Sequence, residues 1–220
     1  KVTTDGLVVS YIHAGGKIGV LVEADADGSG AEVEECLKNV AMQVAAMRPE
    51  YLGKDSISAN ELAKMKSITI DSSLNKPESL PKPILRKLFE KACNEKLFSD
   101  EDIAAYEEQK NNNFLFNFLS KEAAAQLAEL ALADETNIVA DKIFNGLVEG
   151  RVSKQLKEIC LMDQVYVKAE DGKQSVAKYL AEVAKANGAF TVKGYVRFET
   201  GEGLEKKNED FAAEVAAQLQ

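Results

Sequence analysis

Histidine, cysteine and tryptophan are scarce in this 220-residue chain: one His, three Cys and no Trp. Any Ser/His/Asp or Cys/His triad would have to use His13, and no nucleophile motif accompanies it. Cys36, Cys93 and Cys160 are odd in number and far apart, with no CxxC or CxxH spacing. That argues against a Cys/His zinc site and against a disulfide framework. The three read as core residues in a reducing compartment rather than nucleophiles. No apolar run approaches the roughly 18 residues that a membrane span needs. The opening Lys1-Val2-Thr3-Thr4-Asp5 lacks the apolar centre of a signal peptide and has no Met, so a fragment or a processed product is expected.

Positive charge is also short. Lys and Arg number 27 against 36 Asp and Glu, a net charge of -9. Non-specific nucleic-acid binding needs clustered cations to displace counterions from phosphate, so direct contact with DNA or RNA is not expected. A soluble cytoplasmic protein fits better. The chain is 45% hydrophobic and 29% charged, which excludes disordered and low-complexity classes. At this length it forms one large domain or two small ones without needing a staple.

Leu7 to Ile12 and Ile18 to Ala24 are β-branched runs separated by His13-Ala14-Gly15-Gly16-Lys17, which predicts a β-hairpin. Ser29 with Glu32 is a capping box, and Val33, Leu37, Val40, Val44 and Met47 then share one helical face. Pro49 ends that helix. Ser58 with Glu61 opens a second helix, to about Ser73. Three of the four prolines (Pro77, Pro81, Pro83) mark a break. Helical patterns follow around Leu85 to Ala92, Ile103 to Tyr106 and Lys121 to Ala133. Another spans Ile138 to Leu161, with a kink expected near Gly146 or Gly150. Gln164 to Val167 suggests a short strand. Ser175 to Ala186 is helical, closed by Asn187-Gly188. Phe190 to Thr200 alternates: Phe190, Val192, Val196 and Phe198 are expected on the buried face, and Thr191, Lys193, Tyr195, Arg197 and Glu199 on the other. The hairpin and this last strand are expected in one small antiparallel sheet covered by helices, an α+β fold.

Most chemical motifs fail on spacing. Asp25-x-Asp27-x-Ser29-Gly30 resembles half a calcium loop, but Cys36 stands where the bidentate Glu is needed. Gly15-Gly16-Lys17 lacks the spacing of a phosphate loop. Phe114-Leu115-Phe116-Asn117-Phe118-Leu119 is a dense aromatic cluster, read either as the core of a helical arm or as a self-association surface.

Several blocks carry a resemblance. They are Ser10-Tyr11-Ile12-His13-Ala14-Gly15-Gly16-Lys17-Ile18-Gly19-Val20-Leu21-Val22 and Val40-Ala41-Met42-Gln43-Val44-Ala45-Ala46-Met47-Arg48-Pro49. Leu147-Val148-Glu149-Gly150-Arg151 and Glu158-Ile159-Cys160-Leu161-Met162-Asp163-Gln164 come next. The last runs from Val196-Arg197-Phe198-Glu199-Thr200-Gly201-Glu202-Gly203 into Asp210-Phe211-Ala212-Ala213-Glu214-Val215-Ala216. In order and spacing these resemble bacterial or organellar elongation factor Ts across nearly the whole chain except the middle.

The resemblance implies a translation factor that binds elongation factor Tu and promotes GDP release without covalent catalysis or a cofactor of its own. It is cytoplasmic, or placed in an organellar matrix or stroma. The family's N-terminal module and Thr-Asp-Phe loop are expected before residue 1, so this chain resembles the partner-binding and dimerisation part. Residues 1–75 and 136–220 correspond to the family core. Residues 76–135 are expected as an enlarged inserted helical arm. By match alone, Tyr11 and His13 occupy a hairpin-tip contact position, with a bare loop role as the alternative for His13. Gln43, a further partner-binding candidate by match, sits where some relatives have His. Phe211, Glu214 and Val215 lie in a tail helix that reaches the partner. The competing reading is a structural dimerisation scaffold, a homodimer with little exchange activity.

Overall fold

The computed structural model describes residues 6–26 and 30–203. In chain order these form β1 (Leu7–His13), β2 (Ile18–Ala26), α1 (Ala31–Met47), α2 (Ala59–Leu74), α3 (Lys82–Asn94) and α4 (Asp100–Gln109). Then come α5 (Lys121–Ala133), α6 (Glu135–Ala140), α7 (Lys142–Ile159), α8 (Val176–Asn187) and β3 (Phe190–Glu199). The fold is α+β. Contacts divide the chain into one unit of Lys1–Leu52 with Gln164–Gln220, and a second of Gly53–Asp163. These limits lie elsewhere than the expected 75/76 and 135/136 boundaries. Ser29, Phe211, Glu214 and Val215 lie outside the described residues.

The first unit is built on the antiparallel sheet β1-β2-β3. The expected hairpin forms, with Ala14, Gly15 and Gly16 at φ of 50°, 65° and 94°. Three successive left-handed residues reverse the chain, and glycine supplies two of them without a Cβ penalty. α1 packs on one sheet face. Its Val33, Leu37, Val40 and Val44 are buried, as are Val9, Val20, Val22, Ala24 and Val192 of the strands. Arg48, at φ 47°, terminates α1 in the left-handed conformation and its N–H bonds the Val44 carbonyl. The expected strand at Gln164 to Val167 is reduced to one bridge, Val165 to Ser175.

The alternation in β3 does not survive. Between Glu23 and Ala24 the register slips: Glu23 faces Gly194, while Ala24 faces Val192. Lys193 is the extra residue of a β-bulge, and an extra residue exchanges the two faces beyond it. Tyr195 and Arg197 therefore pair with the buried Val22 and Val20, on the α1 side. Val196 and Phe198 turn to the opposite face, and Phe198 is 57% exposed. The mid-strand Gly194 is the one sequence feature that marks such a site.

The second unit is helical. Leu74, Leu88, Phe89, Leu127, Phe144 and Val148 belong to one buried cluster, so the helices of 76–135 share a core with α2 and α7. Phe89 stacks on Tyr106 at 4.1 Å and meets Phe98 edge-on at 5.6 Å. The capping box at Ser58 and Glu61 forms. The expected kink in the 138–161 helix is instead a full break at Asp141, whose carboxylate accepts the N–H groups of Ile143 and Phe144 and starts α7. A carboxylate at a helix start is favoured by both capping and the helix dipole. In the 114–119 cluster Leu115 is buried and Phe116 packs on the core. Phe114 and Phe118 are exposed.

Asp102 ties two helix starts together. It accepts hydrogen bonds from the Ser99 hydroxyl (2.8 Å), the Ser120 hydroxyl (2.8 Å) and the Ser120 N–H (2.7 Å). Ser99 and Ser120 are the N-caps of α4 and α5. Burial pushes the Asp102 carboxyl up, but these three bonds outweigh it and hold it below the usual carboxylate range. The folded value then lies below the unfolded one of about 3.9. Its stabilisation is complete above the unfolded value and lost as pH falls through the folded one. Asp102→Ala should cost about 2 kcal/mol at pH 7 in urea unfolding. The gap to the parent should narrow at pH 3; a constant gap would refute the anionic link.

Candidate functional site

No group of three His, Cys, Asp or Glu side chains among the described residues is placed to hold a metal ion. No helix among them is long and apolar enough to cross a membrane. The thiols are suppressed: burial drives Cys36 up to about 11, against a weaker downward pull from its hydrogen bond with Tyr179. Burial likewise raises Cys93, helped by Glu107, and Cys160, helped by Asp163. Cys36 and Cys160 are buried, whereas Cys93 is partly exposed. Iodoacetamide at pH 8 should label Cys93 first, and Cys36 and Cys160 only on unfolding, as read by mass spectrometry. Rapid native labelling of Cys36 would contradict this burial.

What the first unit presents is a two-part surface. Tyr11 and His13 lie on the α1-facing side of β1, at the hairpin end, opposite Val20 and Ile18. Their rings sit 5.8 Å apart, and the Tyr11 hydroxyl is 3.1 Å from His13 Nδ1. Both are half-buried. One strand further, Arg197 and Glu199 occupy the same level of the sheet. Arg197 Nη1 donates to Glu199 at 2.7 Å. Its hydrogen bond, then its charge, holds the Glu199 carboxyl below its ordinary range. Arg48 reaches Glu199 at 3.8 Å and Glu202 at 3.5 Å. The Arg197 side chain is only 12% exposed, and its buried Nε–H has no hydrogen-bond partner among the described residues. A buried donor without an acceptor costs about 1–3 kcal/mol, so this end of the sheet holds an unused donor. The alternation pattern had turned Arg197 outward; only the bulge brings it here.

The opposite sheet face is largely apolar, and Val8, Ile12 and Phe198 on it are exposed. Val8, Ile12, Leu21, Val196 and Phe198 share it. Ile12 is 66% exposed. A shallow cleft of about 260 Å³ runs between Val8, Leu21, Glu23 and Val196. Covering one large apolar side chain is worth about 1.5–3 kcal/mol. An exposed ion pair contributes about 0–1 kcal/mol. Affinity for a partner would therefore come from this face, and orientation from the polar end.

Gln43 joins neither part. It is fully buried in α1, and its amide donates to Gln164 and to the Val165 carbonyl, both at 3.1 Å. Its oxygen accepts the Val167 N–H at 2.8 Å. All of its visible bonding fastens the 164–167 segment to the helix. Gln43→Leu should lower stability by about 2 kcal/mol in thermal or urea unfolding, because two backbone groups lose their partner.

A family model described as "Elongation factor TS" matches residues 1–103 and 91–202. The chain is 35% identical over 220 residues to "Elongation factor Ts" of Clostridioides difficile (strain 630), covering 100% of this chain and 52% of that protein. It is 33% identical over 221 residues to "Elongation factor Ts" of Clostridium botulinum (strain ATCC 19397 / Type A), covering 100% and 52%. The chain thus spans about half the length of the curated relatives it matches.

Proposed function

The chain belongs to the elongation factor Ts family, and from that membership we propose that it is a partner-binding part of a cytoplasmic translation factor that binds elongation factor Tu and promotes GDP release. The observation that carries the reading is the hairpin end of the sheet, which has an exposed apolar face with Ile12 and Phe198 on one side and the Tyr11, His13 and Arg197 group on the α1 side. Such a surface suits recognition of a protein, and nothing around it suits bond-making chemistry. Exchange on this reading is reciprocal coupling: the factor and the nucleotide each weaken the other's hold on the GTPase. Tyr11 and His13 contact the partner, Phe198 and Ile12 anchor it, and Phe211, Glu214 and Val215 add a contact from the tail. Gln43 acts behind them, by positioning. No cofactor, nucleic acid or membrane takes part.

Residues 76–135 form the inserted arm on this reading. Exposed Phe114 and Phe118 favour the second reading, a self-associating scaffold.

Fluorescent GDP release from elongation factor Tu, with binding followed in the same titration, tests the proposal. The chain should bind the GTPase. Phe198→Asp should abolish binding, and Tyr11→Ala with His13→Ala should weaken it about ten-fold or more. Binding without acceleration of GDP release would mark a recognition part alone. No binding, with size rising with concentration in sedimentation, would leave the scaffold reading.

A further inference from the structure

The second unit holds a cavity that the reading above does not use. It lies between the start of α3, the end of α4 and the 112–116 segment, with a volume of about 160 Å³. Its walls include Phe89, Tyr106, Leu115 and Phe116. Lys82, Arg86 and Lys110 line it against a single carboxylate, Glu78. In a chain of net charge -9 this is a local reversal of sign.

Two features mark it as unfinished. Tyr106 is only 8% exposed, yet its hydroxyl forms no hydrogen bond among the described residues. A phenol hydroxyl both donates and accepts, so Tyr106 offers a hydrogen bond to an occupant of the cavity. The cations are also incompletely neutralised. Lys110 is paired with Glu107 at 2.8 Å, and Lys82 donates only to the neutral Asn113 oxygen at 2.9 Å. Arg86 has no ion pair among the described residues, and its charge opposes that of Lys110.

Size narrows the occupant. An apolar cavity of about 150 Å³ accepts one benzene ring. A whole nucleotide or drug-sized ligand needs roughly 300 Å³ or more. One ring on a longer, negatively charged chain satisfies the walls, the open hydroxyl and the cationic rim together. We infer that this cavity is a docking pocket for an acidic peptide segment of a partner protein, which inserts one aromatic side chain and sets its carboxylates against Arg86 and Lys82. The ring supplies most of the affinity, as a buried anchor, and the charges supply orientation and salt dependence.

The probe is a fluorescein-labelled peptide, Asp-Glu-Phe-Asp-Glu-Gly, titrated with the whole 220-residue chain and read by anisotropy. Saturable binding is expected, weakened several-fold between 50 and 300 mM salt. Replacing the peptide's Phe by Ala should weaken it about ten-fold or more. Arg86→Glu with Lys82→Glu, both at exposed positions, should do the same with an unchanged thermal melt. Tyr106→Phe, which removes only the hydroxyl, should weaken binding several-fold. No saturable binding, equal binding of the Ala peptide, or indifference to the charge reversal would overturn the proposal. So would self-association abolished by Arg86→Glu, which would make a second copy the occupant.

Discussion

One extra residue in β3 decides what the first unit can show to another protein. Without the bulge at Lys193 and Gly194, Val196 and Phe198 would point into the α1 layer, and Tyr195 and Arg197 would point away from it. The slip reverses that assignment over the hairpin end of the strand. Phe198 then joins Ile12 on an exposed face, while Arg197 joins Tyr11 and His13 at the other. The Tyr195 hydroxyl reaches the Pro49 carbonyl at 2.8 Å, a bond that fixes the chain leaving α1. A local backbone irregularity thus adds Val196 and Phe198 to the apolar face and Arg197 to the polar group on the α1 side.

Buried polar side chains act as fasteners in both units, and each binds neutral or backbone groups. Gln43 holds the 164–167 segment. Asp102 holds two N-caps. Arg151 donates to the Ser73 hydroxyl at 2.6 Å and to the Ser79 carbonyl at 3.1 Å, clamping α7 to the end of α2 and the turn that follows. Such bonds specify a geometry because an unpaired buried group is costly, whereas surface pairs such as Lys193 with Asp25 (2.7 Å) are screened and worth about 0–1 kcal/mol. The abundant charge of this chain governs solubility and encounter more than fold.

The two units divide the chemistry of recognition between them. The first offers a broad apolar sheet face, suited to a large partner surface. The second offers a one-ring cavity with a cationic rim, suited to a short segment. Neither asks for a covalent step. Membership of the elongation factor Ts family gives the first surface its proposed partner.

Much of this was legible along the chain. The hairpin, the α1 stripe, the Ser58–Glu61 box and the Ala/Leu helix at 121–133 follow from local rules: period, caps and glycine reversal. These depend on residues within one turn or one strand, so the sequence carries them directly. The site was legible only in part. The resemblance points to Tyr11 and His13 at the hairpin end, whereas Gln43, a partner-binding candidate by match, is fully buried, and Arg197, outward by alternation, lies on the α1 side. Burial and face are set by which distant segment packs against a residue, and 121 positions separate Gln43 from Gln164. The break at Asp141 shows the same limit, since a capping carboxylate outweighed the glycines beside it. The sequence by itself determined most of the elements, the α+β class and the family. Only the tertiary structure decided the register of β3, and with it which side chains lie on the α1 side and which on the other, because hydrogen-bond pairing with β2 fixes that choice and no periodicity within β3 can.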